Sequence, residues 1–383
     1  MKVLYDHQIF SIQRFGGISN YFVQLINNLP EDVHYEIGIK ESNNIHLMES
    51  GIPSVFSTAQ AKMPFVFKKS FPGKGKLFRL YSRLFPQRTS FGRNMSASID
   101  AIKEGGYDVF HPTFFSDYFL PYIDEKPFVL TIHDMTSVLF PNCMGRWNMQ
   151  VANMRKLAKQ AAHIIAVSEN TKSDVMDILH ISESKISVIY HAAPNTVIRE
   201  LSKPLVEGNY ILYVGNRDGY KNFIPMVKDL TPILEEYRDI KIVCTGKSFS
   251  KKELSFFKKC NIQDQIVHVC PSDREMSDLY AHAICFIYPS LYEGFGIPIL
   301  EAWQSGCPVL LNNKSCFPEI AKDAAIFFNL DEERSNLAEV MEYFLQMGDR
   351  EKDALFLKQQ KRLKDFSWKK SAEQLAYIYK MVK

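Results

Sequence analysis

Two acids spaced eight residues apart carry the strongest chemical signal in this 383-residue chain. They bound the stretch Glu293-Gly-Phe-Gly-Ile-Pro-Ile-Leu-Glu301, which follows an apolar run and leads into a helix expected to open at Pro298, because proline suits the first helical position. Gly294 and Gly296 let the backbone approach a ligand closely. The free N–H groups that start the following helix favour a phosphate there. Glu301, in the first helical turns, can accept hydrogen bonds from ribose hydroxyls, and Glu293, in the loop, can accept them from sugar hydroxyls. Taken singly, Glu301 could equally complement the helix dipole and Glu293 could be a solvated loop acid.

Two further places could take part in chemistry. Arg14-Phe-Gly-Gly-Ile-Ser-Asn20 follows a strand and opens a helix, so Gly16 and Gly17 form either a phosphate-tolerant turn or simply a tight one. His133 stands at the end of the apolar run Leu130-Thr-Ile-His-Asp-Met135, where an open parallel sheet presents residues to a ligand.

The elements that must position these groups are legible as short, continuous apolar runs separated by helical segments. KVLYD, YDVFHP, FVLTIHD, HIIAVS and ISVIYH come first; YILYVG, IKIVCTG, QIVHVC, AICFIYPS and CPVLLN restart the series after residue 205. Such strands belong to parallel sheets covered on both faces. The expected fold class is therefore α/β, with two doubly wound Rossmann-like domains. The first should span residues 1–195, a polar Pro- and Gly-punctuated linker 196–208, and the second 209–366. An amphipathic helix over 367–383 closes the chain. Strand-end residues with polar side chains include His111, His133, Asp134, Ser168, His191, Lys221, Ser272 and Glu293, and Gly246 also stands at a strand end.

With its flanking Pro289-Ser-Leu-Tyr292, the acidic stretch resembles the E-x7-E segment of retaining family-four (group 1) glycosyltransferases of the GT-B fold, of the bacterial surface-polysaccharide type. Tyr213-Val-Gly-Asn-Arg-Asp-Gly-Tyr-Lys-Asn222 resembles the same family's strand–glycine loop. The resemblance spans nearly the whole chain and is strongest from Tyr213 to Glu319. It implies an enzyme, a hexosyltransferase, moving a sugar from a nucleoside-diphosphate sugar to a glycan or lipid-linked saccharide, with retention of configuration. The look of the N-terminal stretch favours GDP-mannose. Glu301 would hold the ribose, Glu293 the donor sugar, and the backbone N–H groups near Phe295, Gly296 and Ile297 the distal phosphate and sugar. Lys221 would neutralise the diphosphate with Arg217 as helper; Gly16 and Gly17 would border the phosphates, and His133 would face the transferred sugar. The last helix would cross back onto the first domain. His111 and His191 match family positions without an assigned chemistry.

Other readings are narrowed by composition and by what the motifs lack. A net charge of +3 with 46% hydrophobic and 23% charged residues is that of a globular protein and gives no ground for nucleic-acid binding. The seven cysteines form no C-x-x-C pair, which fits a reducing compartment. The start MKVLYDHQIF lacks the features of a signal peptide, so a cytoplasmic protein is expected. No Asp-x-Asp pair occurs anywhere, so metal-independent transfer without a cofactor is expected. Thr245-Gly-Lys-Ser248 imitates the end of a P-loop, but Lys241 stands where that motif needs glycine. Alternatives that remain open are another GT-B enzyme, such as a sugar-nucleotide epimerase or a phosphorylase, and a catalytically silent glycan-binding subunit.

Residues 51–99 carry nine basic side chains between Lys62 and Arg93 and no acid, interleaved with phenylalanine and tyrosine. Basic residues alternating with aromatics suit an anionic membrane surface. Peripheral contact through residues 62–93 with the inner face of the plasma membrane is the corresponding expectation; a solvated loop is the alternative.

Overall fold

The structure is a computed structural model that describes residues 1–52, 57–58, 89–143, 148–193, 204–217, 219–331 and 333–383. The expected linker over 196–203 and the basic, aromatic segment over 62–88 lie outside the described residues.

The first half builds β1 (Lys2–Tyr5), β2 (His34–Ile37), the two-residue β3 (Glu41–Ser42) and β4 (Ser57–Thr58), β5 (Val109–His111), β6 (Val129–Ile132), β7 (His163–Ala166) and β8 (Ile186–Val188). They pair as β2-β1-β5 and β6-β7-β8, every pair parallel. The two trios meet edge to edge, because Phe110 bridges Phe128 and donates its N–H to the Pro127 carbonyl at 3.0 Å. β3 and β4 pair separately.

The second half builds β9 (Tyr210–Tyr213), β10 (Lys241–Cys244), β11 (Ile266–His268), β12 (Cys285–Tyr288), β13 (Val309–Asn312) and β14 (Ile326–Phe328). Their order is β11-β10-β9-β12-β13-β14, again all parallel. The central strands are buried along their whole length, which is why the sequence reads as continuous apolar runs rather than alternation. Four strands lie outside the apolar runs, the two-residue β3 and β4 among them. β2 is an edge strand of mixed polarity, and β14 is only three residues long.

Each sheet reverses its strand order once, between β1 and β5 and between β9 and β12. At such a switch point the loops leaving the two strands diverge and open a crevice. The loop after β9 carries Lys221, the loop after β12 carries Glu293, and the loop after β1 carries Gly16 and Gly17.

Helix Trp368–Val382 leaves the second domain and packs on the first. Trp368 donates its indole N–H to the Ala193 carbonyl at 3.0 Å, and Ser371 its hydroxyl to the Tyr190 carbonyl at 2.7 Å. Deeper in, the Tyr379 hydroxyl lies 2.8 Å from that of Tyr5 and 2.6 Å from His111 Nδ1. His111 Nε2 continues the chain to Thr131 Oγ1 at 3.0 Å, so the imidazole is fully engaged inside the first domain.

Candidate functional site

The loop after β12 is held rigidly from beneath. Asn312 donates its side-chain amide to the carbonyls of Pro289, Ser290 and Leu330 at 3.1, 3.3 and 3.2 Å. Ser315 Oγ accepts from the Glu293 N–H at 3.2 Å and donates to the Glu293 carbonyl at 2.8 Å. Gly296 then caps helix Ile297–Gln304 at φ +90°, a left-handed conformation where an added Cβ would also meet Ile299 and Phe317 at 3.1 and 3.2 Å. The helix therefore starts one residue before Pro298, with its first N–H groups beside the loop.

The loop after β9 is its neighbour. Leu291 donates its N–H to the Tyr220 carbonyl at 2.8 Å. Asn222 adopts φ +58°, a conformation asparagine tolerates, and anchors itself through the Leu330 carbonyl at 2.7 Å. Lys221 is thereby turned onto Glu293, Nζ to Oε1 at 2.5 Å, with the two side chains only 18% and 14% exposed. Tyr220 and Tyr288 rings stand 5.0 and 5.9 Å from the ammonium. Burial alone would lower the Lys221 pKa, but the Glu293 carboxylate, assisted by Tyr220 and Asp134, outweighs it and holds the ammonium above its ordinary value. The lysine remains a cation.

Arg217, on the same loop, is held by partners of its own domain. Its guanidinium meets Glu253 at 2.6 Å and donates to the carbonyls of Thr245 at 3.2 Å, Ser248 at 3.1 Å, and Lys247. It also lies 4.7 Å from the Phe249 ring centre, with its side chain 5% exposed. Those contacts fasten the loop after β10. Gly246 in that same loop sits at φ +87° against the Gly215 carbonyl, as a tight crossing and not as part of a P-loop.

Across the cleft the first domain supplies a close fit. A Cβ added to Gly294 would stand 1.8 Å from the His133 carbonyl oxygen, so only glycine allows this backbone approach. The Gly294 carbonyl accepts from Ser168 Oγ at 2.6 Å and Thr171 Oγ1 at 3.3 Å. The Tyr292 hydroxyl donates to Asp174 at 2.6 Å and accepts from the Met135 N–H at 3.1 Å. Glu319 accepts the N–H groups of Glu169 and Asn170 at 2.7 and 3.1 Å, which places a carboxylate of the second domain on the N-terminus of a first-domain helix. Ser168 is visible in the sequence as a polar strand end. Thr171, Asp174, Tyr292 and Glu319 are not, because nothing local marks a contact made more than a hundred residues away.

Phe295 is buried in an aromatic seat, with its ring 5.0 Å from His191, 6.0 Å from Tyr190 and 5.7 Å from Phe366. Its side chain thus joins the domains, while the backbone beside it faces the helix start. Tyr21 stacks edge-on with His133 at 4.8 Å and lies 4.8 Å from His191. His133 Nε2 is covered and has no hydrogen-bond partner, although the residue as a whole keeps some exposed surface. Burial pushes its pKa down to about 3, so it is a neutral imidazole at neutral pH. Asp134 beside it is pushed up by burial, partly offset by the Thr136 N–H it accepts at 2.8 Å.

A cavity of about 380 Å³ opens between Gly16, Gly17 and Asn20 of the first domain and Met276, Ile297 and Glu301 of the second. This volume lies within the usual range for a small-molecule site. Glu301 borders it with one oxygen accepting from the Tyr280 hydroxyl at 3.1 Å. An open hollow of about 760 Å³ near Lys103, Asp108 and Lys126 lies at the opposite, amino-terminal ends of the first-domain strands and contains none of these residues. The structure therefore brings Gly16, Gly17, Glu301 and Ile297 around one cavity, and Lys221, Glu293, Gly294 and His133 at one junction of the domains. Arg217 stands apart.

Two doubly wound domains with a crevice between their strand ends define the GT-B class. The chain belongs to the family-four, group 1 glycosyltransferases: residues 15–194 match Glycosyltransferase Family 4, and residues 196–363 match Glycosyl transferases group 1. It is 27% identical over 207 residues to O-antigen chain mannosyltransferase RfbU of Salmonella typhimurium, covering 54% of this chain and 58% of that protein. It is 22% identical over 386 residues to O-antigen chain mannosyltransferase B of Escherichia coli, covering 96% of each. The Anabaena protein HepE, solved in complex with UDP and glucose, shares the fold over 100% of both chains with a TM-score of 0.71 and 16% identity.

His111 and His133, both pushed down to about 3 by burial, tie the packing around the cleft to pH. Each would bind a proton near pH 6.5 in the unfolded chain but only near pH 3 in the folded one, so the stability they contribute is present above about pH 6.5 and lost as pH falls. The melting temperature should drop between pH 7 and pH 5.5, and His133→Asn should shrink that drop. A melting temperature that holds or rises over this window would contradict the burial of neutral imidazoles.

Proposed function

We propose that this chain is a retaining, metal-independent hexosyltransferase that moves mannose from GDP-mannose to a glycan or lipid-linked saccharide in surface-polysaccharide synthesis. The observation that carries the reading is the Lys221–Glu293 pair, set beside the start of helix Ile297–Gln304 and closed from above by His133. The mannosyltransferase names of both relatives support the sugar, and the UDP and glucose held by HepE support a nucleoside-diphosphate sugar as the donor class.

In this reading the nucleoside fills the cavity of about 380 Å³, where Glu301 accepts from the ribose hydroxyls. The diphosphate runs toward the N–H groups at the helix start and takes Lys221 as its counter-ion, so charge on the leaving group is stabilised by fixed dipoles and a cation. A lysine in this place, in a chain without any Asp-x-Asp pair, is what supports transfer without a metal. Glu293 accepts from the sugar hydroxyls. His133, neutral and with an orphan Nε2, is available to hydrogen-bond the sugar from the first domain.

The acceptor hydroxyl then attacks the anomeric carbon on the face from which the diphosphate leaves. Its oxygen forms the new bond to that carbon, the carbon–phosphate oxygen bond breaks with its electron pair going to the phosphate, and the acceptor proton passes to a phosphate oxygen. No step requires an enzyme nucleophile. The interdomain contacts of Gly294, Tyr292 and Glu319 exclude water while this happens.

Acceptor delivery at an anionic membrane surface is part of the same proposal. It rests on the basic and aromatic side chains of residues 62–93. Among the described residues no helix is long and apolar enough to cross a membrane. Failure to sediment with anionic liposomes at low salt would remove the membrane from this account.

Three results test the chemistry. Glu301→Ala should weaken nucleotide binding, whereas Glu293→Ala should lower turnover without weakening nucleoside-diphosphate binding; unchanged nucleotide affinity in Glu301→Ala would contradict the ribose assignment. Lys221→Ala should lose roughly 2–4 kcal/mol of transition-state stabilisation, as loss of a preorganised electrostatic group does. A change under about twofold in kcat/KM would sink its role. Activity should survive exhaustive chelation, and its loss to EDTA with rescue by magnesium or manganese would overturn metal independence.

A further inference from the structure

The two side chains assigned to neighbouring parts of the donor, the diphosphate and the sugar, are occupied by each other. Lys221 Nζ touches Glu293 Oε1 at 2.5 Å, in surroundings that leave each side chain less than a fifth exposed. A nucleoside diphosphate that draws Lys221 to itself competes with Glu293 for the ammonium. Glu293 then loses its cation in a largely desolvated place and faces the negative phosphates as well. Among the described residues, Arg217, the other basic residue of the same loop, is committed to Glu253 and three carbonyls, and Asp134 adds a further carboxyl group to the site.

The sugar of an intact donor alters that balance. Its hydroxyls donate to Glu293 in place of the ammonium, so both members of the broken pair find new partners. Once the sugar has been transferred, the nucleoside diphosphate left behind still holds Lys221, but the carboxylate has lost its hydroxyl donors.

We propose that the Lys221–Glu293 ion pair discriminates donor from product, admitting a nucleoside-diphosphate sugar and expelling the bare nucleoside diphosphate when the pair re-forms. This rests on the donor reading above and gives Glu293 a second role, since besides orienting the sugar it competes with the product for Lys221. Leaving a buried charged group without its partner is costly enough to shift affinity by roughly tenfold or more. Nucleotide release is therefore assisted by an interaction inside the protein, and accumulated product inhibits weakly.

Isothermal titration of the full-length protein with GDP-mannose and with GDP, and with UDP-glucose and UDP if the guanine pair does not bind, tests this. Wild type should bind the nucleotide sugar at least about tenfold more tightly than the matching nucleoside diphosphate. Glu293→Gln, which removes the charge and keeps the shape, should bind the bare nucleoside diphosphate at least about fivefold more tightly than wild type, and the donor more weakly. The wild-type ratio needs no variant, and Glu293→Ala provides a second route if the glutamine variant does not fold. Equal wild-type affinity for donor and product, or no gain in nucleoside-diphosphate affinity on removing the Glu293 charge, would overturn the exchange while leaving the donor reading in place. Absence of binding to every one of these nucleotides would overturn the donor reading and the exchange together.

Discussion

A methyl group added to Gly294 would stand 1.8 Å from the carbonyl oxygen of His133, and most of the site depends on that contact between backbones of two domains. Because no side chain intervenes, the loop after β12 lies directly on the strand end of β6. Ser168 and Thr171 can reach the Gly294 carbonyl, Tyr292 can reach Asp174, and Phe295 can enter its aromatic seat. Residue 294 sits between Glu293 and the start of helix Ile297–Gln304, so holding it also fixes where that acid and the helix start lie relative to His133.

Electrostatics and topology meet at the second-domain switch point. Strand order reverses between β9 and β12, and the loops leaving those strands are joined by the Leu291 N–H and the Tyr220 carbonyl. That junction turns Lys221 and Glu293 toward each other and away from bulk water. Coulomb attraction outweighs the desolvation that would otherwise weaken the lysine's charge, leaving a cation at the switch point. The same burial keeps His133 neutral, so the two sides of the cleft differ in kind: a charged pair on the second domain and an uncharged imidazole on the first.

Much of this is legible in the chain because buried parallel strands write themselves as uninterrupted apolar runs. The ten runs in the sequence correspond to strands of the two sheets, while the edge strand β2, with His34 and Glu36, carries no such signal. Glu293, Glu301 and Lys221 are recognisable from spacing and flanking glycines, since a left-handed cap at Gly296 and a backbone approach at Gly294 leave no choice of residue. Sequence places Arg217 in the same loop as Lys221 but does not show that Glu253, thirty-six positions on, holds its guanidinium. The partners that fasten the domains, Glu319 above all, make contacts 150 positions apart and have no local pattern to betray them.

The central claim is that catalysis needs the second-domain loop seated on the first domain at Gly294. Single-turnover consumption of GDP-mannose by Gly294→Ala, at saturating donor and acceptor, addresses it most directly. The account predicts a folded protein that still binds nucleotide through Glu301 and Lys221 but transfers sugar at least about a hundredfold more slowly, because a misplacement of about 1 Å already costs that much. A Gly294→Ala enzyme that transfers at the wild-type rate would show that the domains need not meet at this contact, and would contradict the account.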